Sequence, residues 1–114
     1  MSPQIYFNPS CSKCRTAQSL LDEHHVQADT IRYLDEPPTV EQLHALMALL
    51  GIEDPRLMMR TGEHLYSELA LVDRTGAALL EAIAEHPILL ERPIFVVGNR
   101  AVIARPPERV LELL

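Results

Sequence analysis

Residues 4–7 read as a strand that must stop at Asn8, because Pro9 holds the residue before it in extended geometry. A helical pattern begins almost at once, at Ser12, and runs to about His25 with Ala17, Leu20 and Leu21 at helical spacing. Residues 30–34 are β-branched and aromatic, and the run Asp35-Glu36-Pro37-Pro38 closes them off as a second strand. A strand, helix and strand in so short a span predict a βαβ unit.

The middle of the chain is helical. Thr39 is a good N-cap, Gln42 stands at the capping-box position, and Gly51 follows as the natural C′ residue, so a helix is expected over 39–50 with Leu43, Leu46, Met47 and Leu50 as its apolar stripe. Shorter helices are expected near 55–59, 63–71 and 76–85. Residues 94–97 and 101–104 then read as two strands around Gly98-Asn99-Arg100, and Pro106-Pro107 opens a last helix through Leu114. Without its helical middle, the order is βαβ–ββα. This predicts an α/β chain of thioredoxin-like fold, one domain over 1–114, with a helical insertion over about 39–90.

Length and charge narrow the function. A chain of 114 residues is about one domain's worth and needs no staples to hold a core. Ten basic against 16 acidic residues give a net charge of −6, which speaks against a direct nucleic-acid binder. Nine of the ten basic residues are arginine and only Lys13 is lysine, a bias that favours oxyanion recognition by forked guanidinium groups. No apolar run is long enough to cross a membrane, and residues 1–7 lack the pattern of a secretory leader, so the cytoplasm is the expected address. Nothing in the sequence demands more than a monomer.

Cys11 and Cys14 are the only cysteines. A disulfide framework is therefore excluded, and a working thiol is expected in a reducing compartment. Cys11 lies where the free N–H groups of a helix start and the positive end of its dipole lower a thiol pKa and cradle an oxyanion, with Ser12 and Lys13 in the same turn and Arg15 close by. Zinc is the competing chemistry, but one pair supplies two ligands and no second pair exists, so no metal is expected. Cys14 is either a resolving thiol or a passive helix residue. His24, His25, His44, His64 and His86 each read as structural or exposed.

Five segments in order, Asn8-Pro9-Ser10-Cys11-Ser12-Lys13-Cys14-Arg15-Thr16-Ala17, Tyr33-Leu34 before Pro37-Pro38, His86-Pro87-Ile88-Leu89-Leu90, Arg92-Pro93-Ile94 and Arg105-Pro106-Pro107-Glu108, resemble the glutaredoxin-dependent arsenate reductase family. The wider family includes Spx-type transcriptional regulators, which often carry Cys-x-x-Cys. The resemblance implies an arsenate reductase with no bound cofactor, using glutathione as co-substrate and glutaredoxin as partner. In that reading Cys11 attacks arsenate, Arg60, Arg92 and Arg105 hold the oxyanion, Asn8 shapes the nucleophile loop, and Pro93 matches a cis-proline beside the site. Two departures stand out. Phe7 occupies a position where many members carry histidine, and Cys14 stands where several reductases have serine. Cys14 makes thioredoxin a conceivable reductant, and it keeps two alternatives in view: a redox-switched regulator, or an oxidoreductase acting on a glutathione-linked substrate. For Arg32, Arg56, Arg74, Arg100 and Arg109 an exposed surface position is expected. Arg92 and Arg105 flank the hairpin expected over 94–104, so strand pairing should bring them together.

Overall fold

A computed structural model describes residues 3–114; Met1 and Ser2, which open the segment read above for a leader, lie outside them. The described residues divide into two compact units, one formed by residues 3–36 and 92–114 and the other by residues 37–91.

The first unit holds a four-stranded sheet in the order β2-β1-β3-β4, made of β1 (Gln4–Tyr6), β2 (Asp29–Ile31), β3 (Ile94–Val97) and β4 (Arg100–Ile103). β1 pairs parallel with β2 and antiparallel with β3, and β3 pairs antiparallel with β4. Helix α1 (Ser12–Glu23) joins the parallel pair, as a parallel connection requires. This mixed sheet with its βαβ and ββα halves is the thioredoxin-like arrangement the element order predicts. Ile5 and Phe95, directly opposite in register and fully buried, centre a core completed by Ala17, Leu21, Val102, Ala104 and Val110. α1 supplies its share because Cys14, Ala17 and Leu21 fall on one face.

Several elements differ from the sequence reading. β2 ends at Ile31, short of Leu34: β1 offers no partner beyond Phe7, whose N–H donates to the Ile31 carbonyl at 2.9 Å, and the chain then turns so that Asp35 N–H bonds Arg32 O. β4 starts at Arg100, not Ala101, because Val97 pairs with Arg100 across a two-residue loop. Gly98 takes φ +58° at the first loop position, where a side chain would be strained. The last helix is a 3₁₀ turn over Pro107–Leu113. Pro107 and Val110 are buried and Leu113 half-buried at three-residue intervals, the repeat of a 3₁₀ turn, while Leu111 is exposed.

The second unit is helical. Its helices are α2 (Val40–Leu50), α3 (His64–Glu68) and α4 (Ala77–Glu85), with 3₁₀ turns at Pro55–Met58, Leu71–Asp73 and Pro87–Leu89. α2 carries the full reciprocal capping box between Thr39 and Gln42 and ends at Gly51 with φ +72°. Its buried Leu43, Leu46 and Met47 pack on α4, which buries Leu79, Leu80, Ala82 and Ile83. α3 is shorter than expected: none of its residues is buried, and the chain breaks at Ala70, which sits at φ +53°. Its first residue, His64, is exposed and lies 2.7 Å from the Glu68 carboxylate.

Arg56 is a clearer correction. It is not a surface residue: its Nε donates to the Tyr66 hydroxyl at 3.0 Å, and Nη2 donates to the carbonyls of Leu71, Val72 and Arg74. One guanidinium thus gathers the carbonyls of a segment with little regular structure of its own. Arg32, Arg74, Arg100 and Arg109 are exposed as expected. Among the described residues no helix is long and apolar enough to cross a membrane.

The packing ranks two substitutions. Phe95→Ala should cost about 3–5 kcal/mol, because it empties the middle of the sheet core. Thr39→Ala should cost about 1 kcal/mol through loss of one cap. Urea denaturation of both variants measures the ranking, and equal losses would contradict it.

Candidate active site

Asn8 organises the segment between β1 and α1. Its carbonyl accepts the Cys11 N–H at 3.0 Å, its Oδ1 accepts the Ser10 N–H at 2.9 Å, and its own N–H donates to Cys14 Sγ at 3.5 Å. The side-chain bond is the Asx-turn that asparagine forms readily, and it folds the chain sharply after the strand. Arg15 reaches back from the helix to the Pro9 carbonyl at 2.9 Å and ties the loop down. Arg15 therefore acts as a staple in addition to any charge it lends.

The result places Cys11 as the N-cap of α1, with extended backbone (φ −95°, ψ 119°). Its sulfur is partly exposed and meets the free amides of the first turn. Partial burial opposes the thiolate. The backbone N–H of Cys14, the Cys14 thiol, the Arg92 guanidinium and the Lys13 backbone N–H outweigh it by hydrogen bonding to the sulfur, and the pKa falls to about 7. Lys13 thus contributes its amide, while its side chain is exposed. Ser12 is also exposed, and its carbonyl accepts the Thr16 hydroxyl at 3.0 Å.

Cys14 behaves oppositely. It is fully buried, and burial pushes its thiol up to about 12, helped by the proximity of Cys11 and resisted by the Asn8 N–H and by Arg92. The two sulfurs form a coupled pair in which the ionised form resides on Cys11 and the proton on Cys14.

Arg92 and Arg105 arrive from the hairpin. The register Ile94↔Ile103 sets the residues just before β3 beside those just after β4, and Ala104 N–H donates to Pro93 O at 2.9 Å. Arg105 Nη1 then donates to the Arg92 carbonyl at 2.9 Å. The peptide bonds Arg92–Pro93 and Arg105–Pro106 are both cis. Arg92 Nε is buried with no hydrogen-bond partner among the described residues. Leaving a buried donor unsatisfied is unfavourable, so this nitrogen calls for an acceptor.

The structure therefore brings Asn8, Cys11, Cys14, Pro93, Arg92 and Arg105 into one unit. Arg60 belongs to the other unit, where its N–H donates to Leu89 O at 2.7 Å and its Nη1 pairs with Glu63 Oε2 at 3.2 Å. Glu63 was not singled out from the sequence, since an acid three residues from an arginine is commonplace. Among the described residues no three His, Cys, Asp or Glu side chains gather as a metal would need.

The split between the thiols has a direct consequence. Alkylation of Cys11 by iodoacetamide should rise with pH around a midpoint of about 7, because the thiolate is the reactive form and its folded-state pKa is depressed. Cys14 should stay unmodified in the native protein. Arg92→Ala should move the midpoint upward. Mass-spectrometric labelling across pH 5–9, roughly two units either side of that midpoint, reads all three, and a midpoint near the ordinary thiol value of about 8.5 would contradict the arrangement.

Comparison with known proteins gives one answer. The chain is 46% identical over 116 residues to an arsenate reductase of Haemophilus influenzae, covering 100% of both chains. It is 36% identical over 112 residues to an arsenate reductase of Escherichia coli, covering 96% of this chain and 79% of that protein. Among solved structures, the arsenate reductase from Vibrio cholerae superposes with a TM-score of 0.96 at 47% identity, covering 100% of this chain and 98% of that one. With the ArsC family model matching residues 6–113 as well, the chain belongs to the ArsC family.

Proposed function

We propose that this protein is an arsenate reductase that converts arsenate to arsenite with Cys11 as nucleophile and with glutathione and glutaredoxin as the source of electrons. The observation that carries the reading is the Cys11 thiol at the start of α1, ionised near neutral pH, with an arginine on the sulfur and a buried Arg92 Nε lacking an acceptor. The names of the relatives supply the substrate.

Arsenate is a tetrahedral oxyanion and a dianion near neutrality. Arg92 and Arg105 offer charge-assisted hydrogen bonds to its oxygens, and the Lys13 and Cys14 amides lie beside the attacking sulfur. Arg60 joins them on the strength of the family resemblance. The Cys11 thiolate attacks arsenic, and one oxygen leaves as water after protonation. A glutathione thiol then displaces a second oxygen as water. Glutaredoxin thiolate attacks the glutathione sulfur of that adduct, two electrons pass to arsenic, and a glutaredoxin–glutathione disulfide departs. Hydrolysis of the remaining sulfur–arsenic bond releases arsenite and restores Cys11. No prosthetic group enters. The chain acts in this reading as one domain with an insertion over about 39–90, as a monomer, in the reducing cytoplasm and away from membranes.

Cys14 supports a second route for the electrons. Its thiol donates to the Cys11 sulfur, so it can attack that sulfur in the arsenic adduct, releasing arsenite and leaving a Cys11–Cys14 disulfide. A dithiol protein of the thioredoxin type would then be the reductant.

The test is NADPH consumption with arsenate, run once with glutathione, glutaredoxin and glutathione reductase, and once with thioredoxin and its reductase. Turnover through the first chain is expected, and silence in both would overturn the proposal. Cys11→Ser should abolish turnover. Arg92→Ala and Arg105→Ala should each lower kcat/KM by about 10²–10³, the usual effect of removing a group that stabilises transition-state charge. Cys14→Ser should keep the glutaredoxin-supported rate and lose any thioredoxin-supported rate.

A further inference from the structure

Arg60 is held by its backbone with unusual care. Met59 and Leu90 form an antiparallel bridge, Glu91 N–H donates to Met58 O at 2.9 Å, and Arg60 N–H donates to Leu89 O at 2.7 Å. Met58, Met59, Leu89 and Leu90 are all buried, so this short ladder cannot slide. Beyond it the chain turns through Thr61 and Gly62, and Glu63 N–H donates back to Arg60 O at 3.0 Å. The turn returns the Glu63 carboxylate to the Arg60 guanidinium, Nη1 to Oε2, with the two side chains 28% and 25% exposed.

Glu63 is also the N-cap of α3, a place where a short acceptor satisfies a free amide of the helix. Its side chain makes no capping bond there. The carboxylate pairs with Arg60 instead. A partly exposed pair three residues apart contributes little to stability, so the arrangement is poorly explained as a support for the fold. What it does achieve is geometric. A long, rotamer-rich side chain on a rigid backbone is drawn to a carboxylate through one terminal nitrogen, while Nε and Nη2 have no partner among the described residues.

We infer that Glu63 is a positioning residue for oxyanion binding, holding the Arg60 guanidinium in the orientation in which it meets the substrate. This rests on the proposed role of Arg60 in that site. Glu63 touches no reacting atom; it acts through Arg60.

Three readouts test it. In the intact protein, the guanidinium NMR signals of Arg60 should show hindered rotation, with separate Nη resonances, and Glu63→Ala should average them. The arsenate concentration that half-protects Cys11 from alkylation, and the arsenate KM, should both rise about tenfold in Glu63→Ala, the effect of one poorly oriented hydrogen bond, with kcat within about twofold of wild type. Glu63→Gln keeps a carbonyl acceptor and should recover most of the loss. Because the effect passes through Arg60, the double variant Arg60→Ala/Glu63→Ala should bind arsenate no worse than Arg60→Ala alone. Thermal melts of all variants verify that each is folded.

Averaged Arg60 signals in the wild type, unchanged or tighter binding in Glu63→Ala, or additive losses in the double variant would each overturn the inference. Tighter binding would mean that the carboxylate competes with the oxyanion. A wild-type protein whose Arg60 is visibly held by Glu63, yet whose Cys11 gains no protection from arsenate, would instead count against the proposed substrate.

Discussion

The hydrogen bonds of Asn8 set the chemistry of the N-terminal half. Its carbonyl, side chain and amide fix Cys11, Ser10 and Cys14 in turn, so the chain leaves β1 and enters α1 with Cys11 at the cap. Only at that position does a side chain meet the unpaired amides of the first turn and the positive end of the helix dipole together. A thiol one turn further along would lie on the buried face, as Cys14 does, and would be pushed toward the neutral form. Two cysteines three residues apart therefore receive opposite characters from one short loop.

The arginines extend this logic. Cations that lower the pKa of a thiol are also suited to meet an oxyanion approaching it, so the acidity of Cys11 and the proposed anion binding draw on one set of side chains. The chain as a whole is acidic, at −6, which opposes nonspecific capture of anions and confines attraction to places where arginines converge. Convergence of Arg92 and Arg105 follows from strand pairing: they lie 13 residues apart, on either side of a hairpin with a two-residue loop.

Much of the architecture was legible in the residues. Thr39, Gln42 and Gly51 specify both ends of α2, because capping is a local interaction that needs no tertiary partner. Gly98 between two β-branched runs announces the hairpin for the same reason. The differences have separate physical causes. β2 was read too long because strand length depends on the partner, and β1 offers only three residues. The C-terminal turn is undecided along the chain, because Pro107, Val110, Leu111 and Leu114 fit an α-helix and Pro107, Val110 and Leu113 a 3₁₀ turn. The partial burial of Arg56 is not legible along the chain, because its acceptors are the Tyr66 hydroxyl 10 residues away and backbone carbonyls 15 to 18 residues away, at no recognisable spacing.

The sequence by itself determined the order of elements, the location of Cys11 at a strand-to-helix junction, and the pairing of Arg92 with Arg105, since turns, caps and hairpins are governed by neighbours along the chain. The tertiary structure decided which thiol ionises, which amides and which guanidinium face it, that Arg92 Nε has no acceptor, and that Glu63 forgoes its helix to hold Arg60. Those outcomes depend on burial and on hydrogen bonds between groups brought together by packing. Neither residue type nor spacing encodes how much water a sulfur or a guanidinium retains once the core has closed around it.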